Sequence, residues 1–216
     1  MRRFAIVMAG LLAAVLAKPA VLAFLVFDSR IAQPGRLPEG WRIKVTRGVP
    51  DIAVIGDSQG SVLHFRSRGS SFGLERGVDV NLAEYPYLSW RWKVSKLPPE
   101  GDFRHARTDD QAAQVLVAFE DRRILTYLWD SNAPQGAMEN ASAIPLVHIV
   151  AVVCRSGAAE IDQWESEVRN VAADYRRAYG RSPVPRVKAI RLQINAQHTG
   201  AAAESYFGDV AFRNSL

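Results

Sequence analysis

Disulfides, metal-ligand spacings and internal repeats are all missing from this 216-residue chain, and each absence narrows what it can be. Cys154 is the only cysteine, so no internal disulfide braces the fold and hydrophobic packing must hold it. It closes the apolar run Leu146 to Cys154 and is expected to be a small buried hydrophobe. The four histidines lie far apart, and no H-x-x-x-H or C-x-x-C pair occurs, which argues against zinc; His105 has no second ligand at a suitable spacing. Strand-like and helix-like runs do not alternate, which excludes the parallel sheet of common hydrolase folds. A strong charge of one sign is lacking too. The 27 Lys and Arg face 22 Asp and Glu, and the excess is scattered, so nucleic acid is not an expected partner.

The chain opens with abundant apolar sequence. Met1-Arg2-Arg3 is a positive n-region, Phe4 to Ala17 is almost wholly apolar, and the run resumes from Ala20 to Phe27 after Lys18-Pro19. Small-residue cleavage patterns end at Ala17 and at Ala23. Residues 1–23 are therefore expected to be an export signal, which places the mature protein in the periplasm or outside the cell. An uncleaved anchor reaching Phe27 is the alternative, since a membrane span needs about 20 apolar residues. In that case the protein faces the periplasm and touches the membrane only through this segment. Lys18 in the middle counts against an anchor, and a lipoprotein is excluded because no cysteine lies nearby. Cleavage removes Arg2, Arg3 and Lys18, more than half of the positive excess. Residues 28–40, rich in Pro and Gly, read as a linker, and residues 41–216 as one domain.

From Trp41 onward, short strand-like runs succeed one another. In "LSWRWKV", Leu88, Trp90, Trp92 and Val94 share one parity, with Ser89, Arg91 and Lys93 on the other, which describes a half-buried strand with an aromatic face. The runs 114–119, 124–129 and 146–153 are mostly apolar, as strands inside a sandwich should be. Ile190, Leu192 and Ile194 alternate with polar residues, and "SYFGDVAF" puts Tyr206, Val210 and Phe212 on one parity. Only residues 162–180 have a helical period. There Trp164, Val168, Val171, Tyr175 and Ala178 share a face, Gly180 is the stop, and Pro183 and Pro185 forbid continuation. The sum is a mainly β, antiparallel jelly-roll sandwich with one amphipathic helix near 162–180.

Gly56-Asp57-Ser58-Gln59-Gly60 fits the G-x-S-x-G pattern of a hydrolase nucleophile. A nucleophile elbow needs a helix after the turn, whereas Val62 to Arg66 has strand period, so Ser58 is read as a hairpin tip. Asn195-Ala-Gln-His198 offers an amide where a catalytic His needs a carboxylate. No catalytic residue is assigned. Asp109 and Asp110 are weak candidates for Ca²⁺, and no other cofactor is expected. Strand ends and loops gather at the rim of a sandwich. Asp110, Trp129, Arg169, Asn195 and His198 are the candidate ligand-binding set, with Trp129 stacking a sugar ring and the polar groups reading hydroxyls. The bland alternative is turn and loop chemistry, with Arg169 and Asp174 pinning the helix to the sheet.

Taken together, "LSWRWKV", "DDQAAQVLVAF", "YLWD", "RNVAADYRRAYG" and "FGDVAF" resemble domain-of-unknown-function family 3047, a group of exported bacterial proteins, over roughly Trp41 to Phe212. The resemblance implies a sandwich like galactose-binding or carbohydrate-binding modules and carries no activity. The expected function is a non-catalytic cell-envelope module that binds a sugar or similar polar ligand. Two alternatives stay open. One is an enzyme acting on envelope polysaccharide through carboxylates such as Asp110, Asp174 or Glu204, and the other is a structural or protein-interaction domain.

Overall fold

A computed structural model describes residues 22–58, 60–141 and 147–216. The expected signal over residues 1–21, Gln59 and the head of the 146–153 run lie outside the described residues.

Two sheets face each other across one core. The first takes β1 (Ala23–Phe27), β3 (Ile52–Asp57), β4 (Gly60–Arg68), β6 (Tyr87–Lys96), β11 (Glu165–Asn170) and β13 (Ala202–Arg213). Its order is β11-β6-β13-β4-β3, with β1 also against β13. The second takes β2 (Trp41–Arg47), β5 (Ser71–Val80), β7 (Ala113–Phe119), β8 (Arg123–Asp130), β9 (Met138–Asn140), β10 (His148–Ser156) and β12 (Val187–Asn195). They run in the order β2-β5-β12-β7-β8-β10-β9. The pairing is antiparallel except between β8 and β10, which lie parallel, so the sandwich is mixed at that point.

The period-two patterns place the core. Leu88, Trp90, Trp92 and Val94 on β6 are at most 2 % exposed and meet Tyr127 and Trp129 from β8. Ring centroids lie 5.2 Å apart for Trp90–Tyr127 and 5.9 Å for Trp92–Trp129. Ile190, Leu192 and Ile194 fill the second sheet's inner face. Cys154 is buried here, and burial pushes its thiol well up.

Three departures from the sequence reading have local causes. The helix α1 is confined to Val171–Tyr179, while residues 165–170 form β11 along the free edge of β6. Pairing with that edge satisfies backbone groups that a longer helix would have left open. Val168 therefore points outward, 47 % exposed, and Trp164 stands in the turn before the strand. Gly180 does end the helix, with φ at 61°. In β13, the register shifts between Phe207 and Val210. This bulge moves the inward phase from Ala203, Ser205 and Phe207 to Val210 and Phe212, leaving Tyr206 on the outer face. Residues 28–40 are turns tied to the sheet rather than a loose linker. The Ser29 carbonyl accepts from Ser61 N, Gly35 N donates to the Val54 carbonyl, and Ala32 packs on the core.

Candidate functional site

The candidate ligand-binding set divides. Asp110, Asn195 and His198 come together where β7 begins and β12 ends. Asp110 is fully buried, and its carboxylate accepts from His198 N at 3.0 Å and from Thr199 N and Oγ1 at 2.7 Å each. Asn195 donates to the Asp109 carbonyl and accepts from Gln197 N at 3.2 Å. These donors occupy the Asp110 carboxylate with protein N–H and O–H groups. Burial raises the neighbouring Asp109 carboxyl, which Gln111 partly offsets by donating to it at 3.0 Å. Such an arrangement ties the β12–β13 turn to the head of β7.

Trp129 and Arg169 belong elsewhere. Trp129 does lie at the end of β8, one residue before Asp130 and opposite Ala113, the first residue of β7, but its side chain turns into the core. Its ring is fully buried and Nε1 donates to the Gly157 carbonyl at 3.1 Å, so it offers no platform to a sugar. Arg169 makes a fork onto Asp174, at 3.0 and 2.9 Å, and the Tyr127 hydroxyl donates to the same carboxylate at 2.9 Å. These contacts pin α1 to β11 and β8. Ser58 sits on the β3–β4 hairpin tip, its hydroxyl donating to Asp57 at 2.9 Å.

The outer face of the first sheet carries a denser group of side chains. Strand register sets His64, Tyr206 and Lys93 side by side across β4, β13 and β6. The His64 and Tyr206 rings stack, with centroids 4.3 Å apart and planes 4° from parallel. The Lys93 ammonium lies 4.4 Å from the Tyr206 centroid and 5.6 Å from that of Trp164, and Arg91 stands 5.1 Å from the same indole. Gly208, at the bulge, leaves room for Arg91: a Cβ there would come within 3.1 Å of the guanidinium. Both cations reach Trp164 from β6, and the half-buried indole anchors its nitrogen on Asp57 at 3.1 Å.

Glu204 sets the chemistry of the next row. It accepts from His64 Nε2 at 2.6 Å and from the Tyr206 hydroxyl at 3.0 Å. Burial alone would raise its carboxyl, but these bonds outweigh that and hold it below its ordinary value. Asp57 is likewise lowered, first by the Ser58 hydroxyl. Glu204 stands in register between Arg66 and Lys96, and Ala202 beside Arg68. Beyond them opens a groove of about 760 Å³, bordered by Asp51, Arg66, Arg68, Lys96 and Glu204, with Gly48 and Ala202 also in its lining. That volume lies in the range of small-molecule sites, about 300–1,000 Å³.

Sequence reasoning named Glu204 but missed His64, Tyr206, Lys93 and Trp164 as a group. The parity of "RWK" does place Arg91 and Lys93 outward. A bulge hides the phase of Tyr206, and the apparent helical stripe absorbed Trp164.

Fold and face together define a jelly-roll β-sandwich with an aromatic and charged outer sheet surface. The chain belongs to the family described as protein of unknown function (DUF3047), whose model matches residues 40–211. No curated protein matches it in sequence. Among solved structures it is similar to the family 11 carbohydrate-binding module of the cellulosomal cellulase Lic26A-Cel5E of Clostridium thermocellum. That likeness has a TM-score of 0.50 and 10 % identity, over 91 % of this chain and 97 % of the module. It is similar too to the endoglucanase cel12A from Rhodothermus marinus, again with a TM-score of 0.50 and 10 % identity, over 89 % and 99 % of the two chains.

Proposed function

We propose that this is a non-catalytic carbohydrate-binding protein of the cell envelope, and that the outer face of the first sheet receives the ligand. The observation that carries this reading is the register row His64–Tyr206–Lys93, with Trp164 above it and Glu204 beside it. Aromatic rings beside fixed donors and acceptors suit a sugar, which offers apolar ring faces edged by hydroxyls. A fold likeness to a carbohydrate-binding module agrees with the reading. Hydrolysis of a glycosidic bond uses two carboxyl groups flanking the bond, one of them protonated. Asp110, Asp174 and Glu204 instead belong to three separate hydrogen-bond networks, each engaged with its own donors. Glu204 is held toward its ionised form, the wrong direction for a general acid.

A glycan array on the purified domain, followed by calorimetry, tests this. Trp164→Ala should weaken binding about tenfold, the loss of roughly 1.4 kcal/mol expected for an aromatic contact. Tyr206→Ala should weaken it too, by releasing the His64 and Lys93 side chains that sandwich its ring. Unchanged affinity in both variants would move the ligand off this face.

A further inference from the structure

The outer face of the first sheet collects positive charge that the sequence spreads over some thirty residues of two strands. Arg66 and Arg68 come from β4, and Arg91, Lys93 and Lys96 from β6. The carboxylates among them are already engaged: Asp51 with Arg66 at 3.1 Å, Glu204 with His64, and Asp57 with Trp164. Among the described residues no carboxylate pairs with Arg68 or Lys96, both of which are exposed on the groove. Lys93 lies over the Trp164 and Tyr206 rings and is close enough to Asp57 to help lower its carboxyl.

Spacing distinguishes a chain-like ligand from a single acid. Arg66 and Arg68 are two residues apart on one strand, about 6.7 Å along it, and Lys96 is two strands across, roughly 10 Å away. One carboxylate can satisfy one of these cations at a time. Several carboxylates repeating along a polymer can meet the set at once. We infer that the groove recognises an acidic polysaccharide, whose uronate carboxylates meet Arg68, Lys96 and Lys93 while its sugar rings lie toward Trp164 and Tyr206. This names the ligand class of the same site and rests on the sugar-binding reading above.

The test titrates the full domain with polygalacturonate, with the same polymer carboxyl-reduced to neutral polygalactose, and with polyglutamate. Polygalacturonate should bind at least tenfold more tightly than the neutral polymer. That advantage should shrink as ionic strength rises from about 0.05 to about 0.5 M, because exposed charges are screened. The double variant Arg68→Gln with Lys96→Gln should lose at least tenfold on polygalacturonate; both side chains are exposed and no like charge is set against Glu204, so its thermal melt should match the parent. Equal binding of the neutral polymer, unmoved by the double variant, would overturn the acidic preference and leave sugar binding standing. Polyglutamate bound as tightly as polygalacturonate would reduce the groove to bare electrostatics and overturn it as well. If neither polymer bound while the glycan array returned a neutral sugar, the acidic preference would fall alone; an array blank as well would take the sugar-binding reading with it.

Discussion

Single side chains in this protein separate into those that hold the fold and those that face outward, and truncation should tell them apart. Asp110→Ala would leave two backbone N–H groups and the Thr199 hydroxyl without their acceptor. Fully buried unsatisfied donors cost roughly 1–3 kcal/mol each, and these three are only half-buried, so a loss of about 3 kcal/mol in all is expected in urea denaturation, with glycan affinity untouched. Asp174→Ala strips its partner from Arg169 and from the fully buried Tyr127 hydroxyl. A broken buried pair costs about 3–5 kcal/mol, and the partial exposure of Arg169 puts this one near the lower end. Trp90→Ala and Trp92→Ala remove rings that are at most 2 % exposed and should each cost roughly 3–5 kcal/mol. A melt unchanged by any of these would contradict the burial that assigns them to the fold.

Elements show where the sequence was legible. Strand β6 was readable because its apolar residues all face one way, and burial of Leu88, Trp90, Trp92 and Val94 follows their parity. Strand β11 was not, because its polarity is inverted: Val168 faces solvent while Glu165, Glu167 and Arg169 turn toward partners. Arg155, at the end of β10, binds Glu160, Glu165 and Glu167 at 2.6 to 2.9 Å, so this margin of the sandwich is closed by ions where a pattern reader looks for leucines. Asp110, Asn195 and His198 could be brought together on paper because each flanks a strand end, yet their bonds face one another and not an opening. The outer-face row depends on cross-strand register and on a bulge, neither of which is encoded within one strand. At the helix, Asn170 caps α1 by accepting from Ala173 N at 2.9 Å. Asn170→Ala should cost about 1 kcal/mol, readable as a lower melting temperature with β11 intact. The N-terminal strand predicts something larger. Val26 and Phe27 on β1 are at most 2 % exposed, so a chain beginning at residue 28 should lose roughly 3–6 kcal/mol. Cleavage after Ala17 spares β1 and cleavage after Ala23 trims it, so N-terminal sequencing of exported protein should find residue 18 first.

Across the whole molecule, the charged outer face links stability to pH, and Glu204 sets the sign of that link. In the folded chain its carboxyl lies below the ordinary value of 4.5, held there by His64 and Tyr206 against the effect of burial. On unfolding it returns to that ordinary value, so as pH falls the unfolded chain takes up the proton first. The stability this group contributes is therefore complete above the ordinary value and is lost as pH falls toward the folded one. Glu204→Gln keeps size and hydrogen-bonding capacity but cannot ionise, which isolates this carboxyl from the other lowered ones, such as Asp79 and Asp121. The variant should be less stable than the parent at about pH 7, and the gap should close by about pH 3. Thermal melts of both proteins across that range measure the gap directly. A gap that stays constant would mean that Glu204 is held by packing and not by its charge, and the row His64–Tyr206–Glu204 would then be a neutral cluster with no electrostatic hold on the face around it.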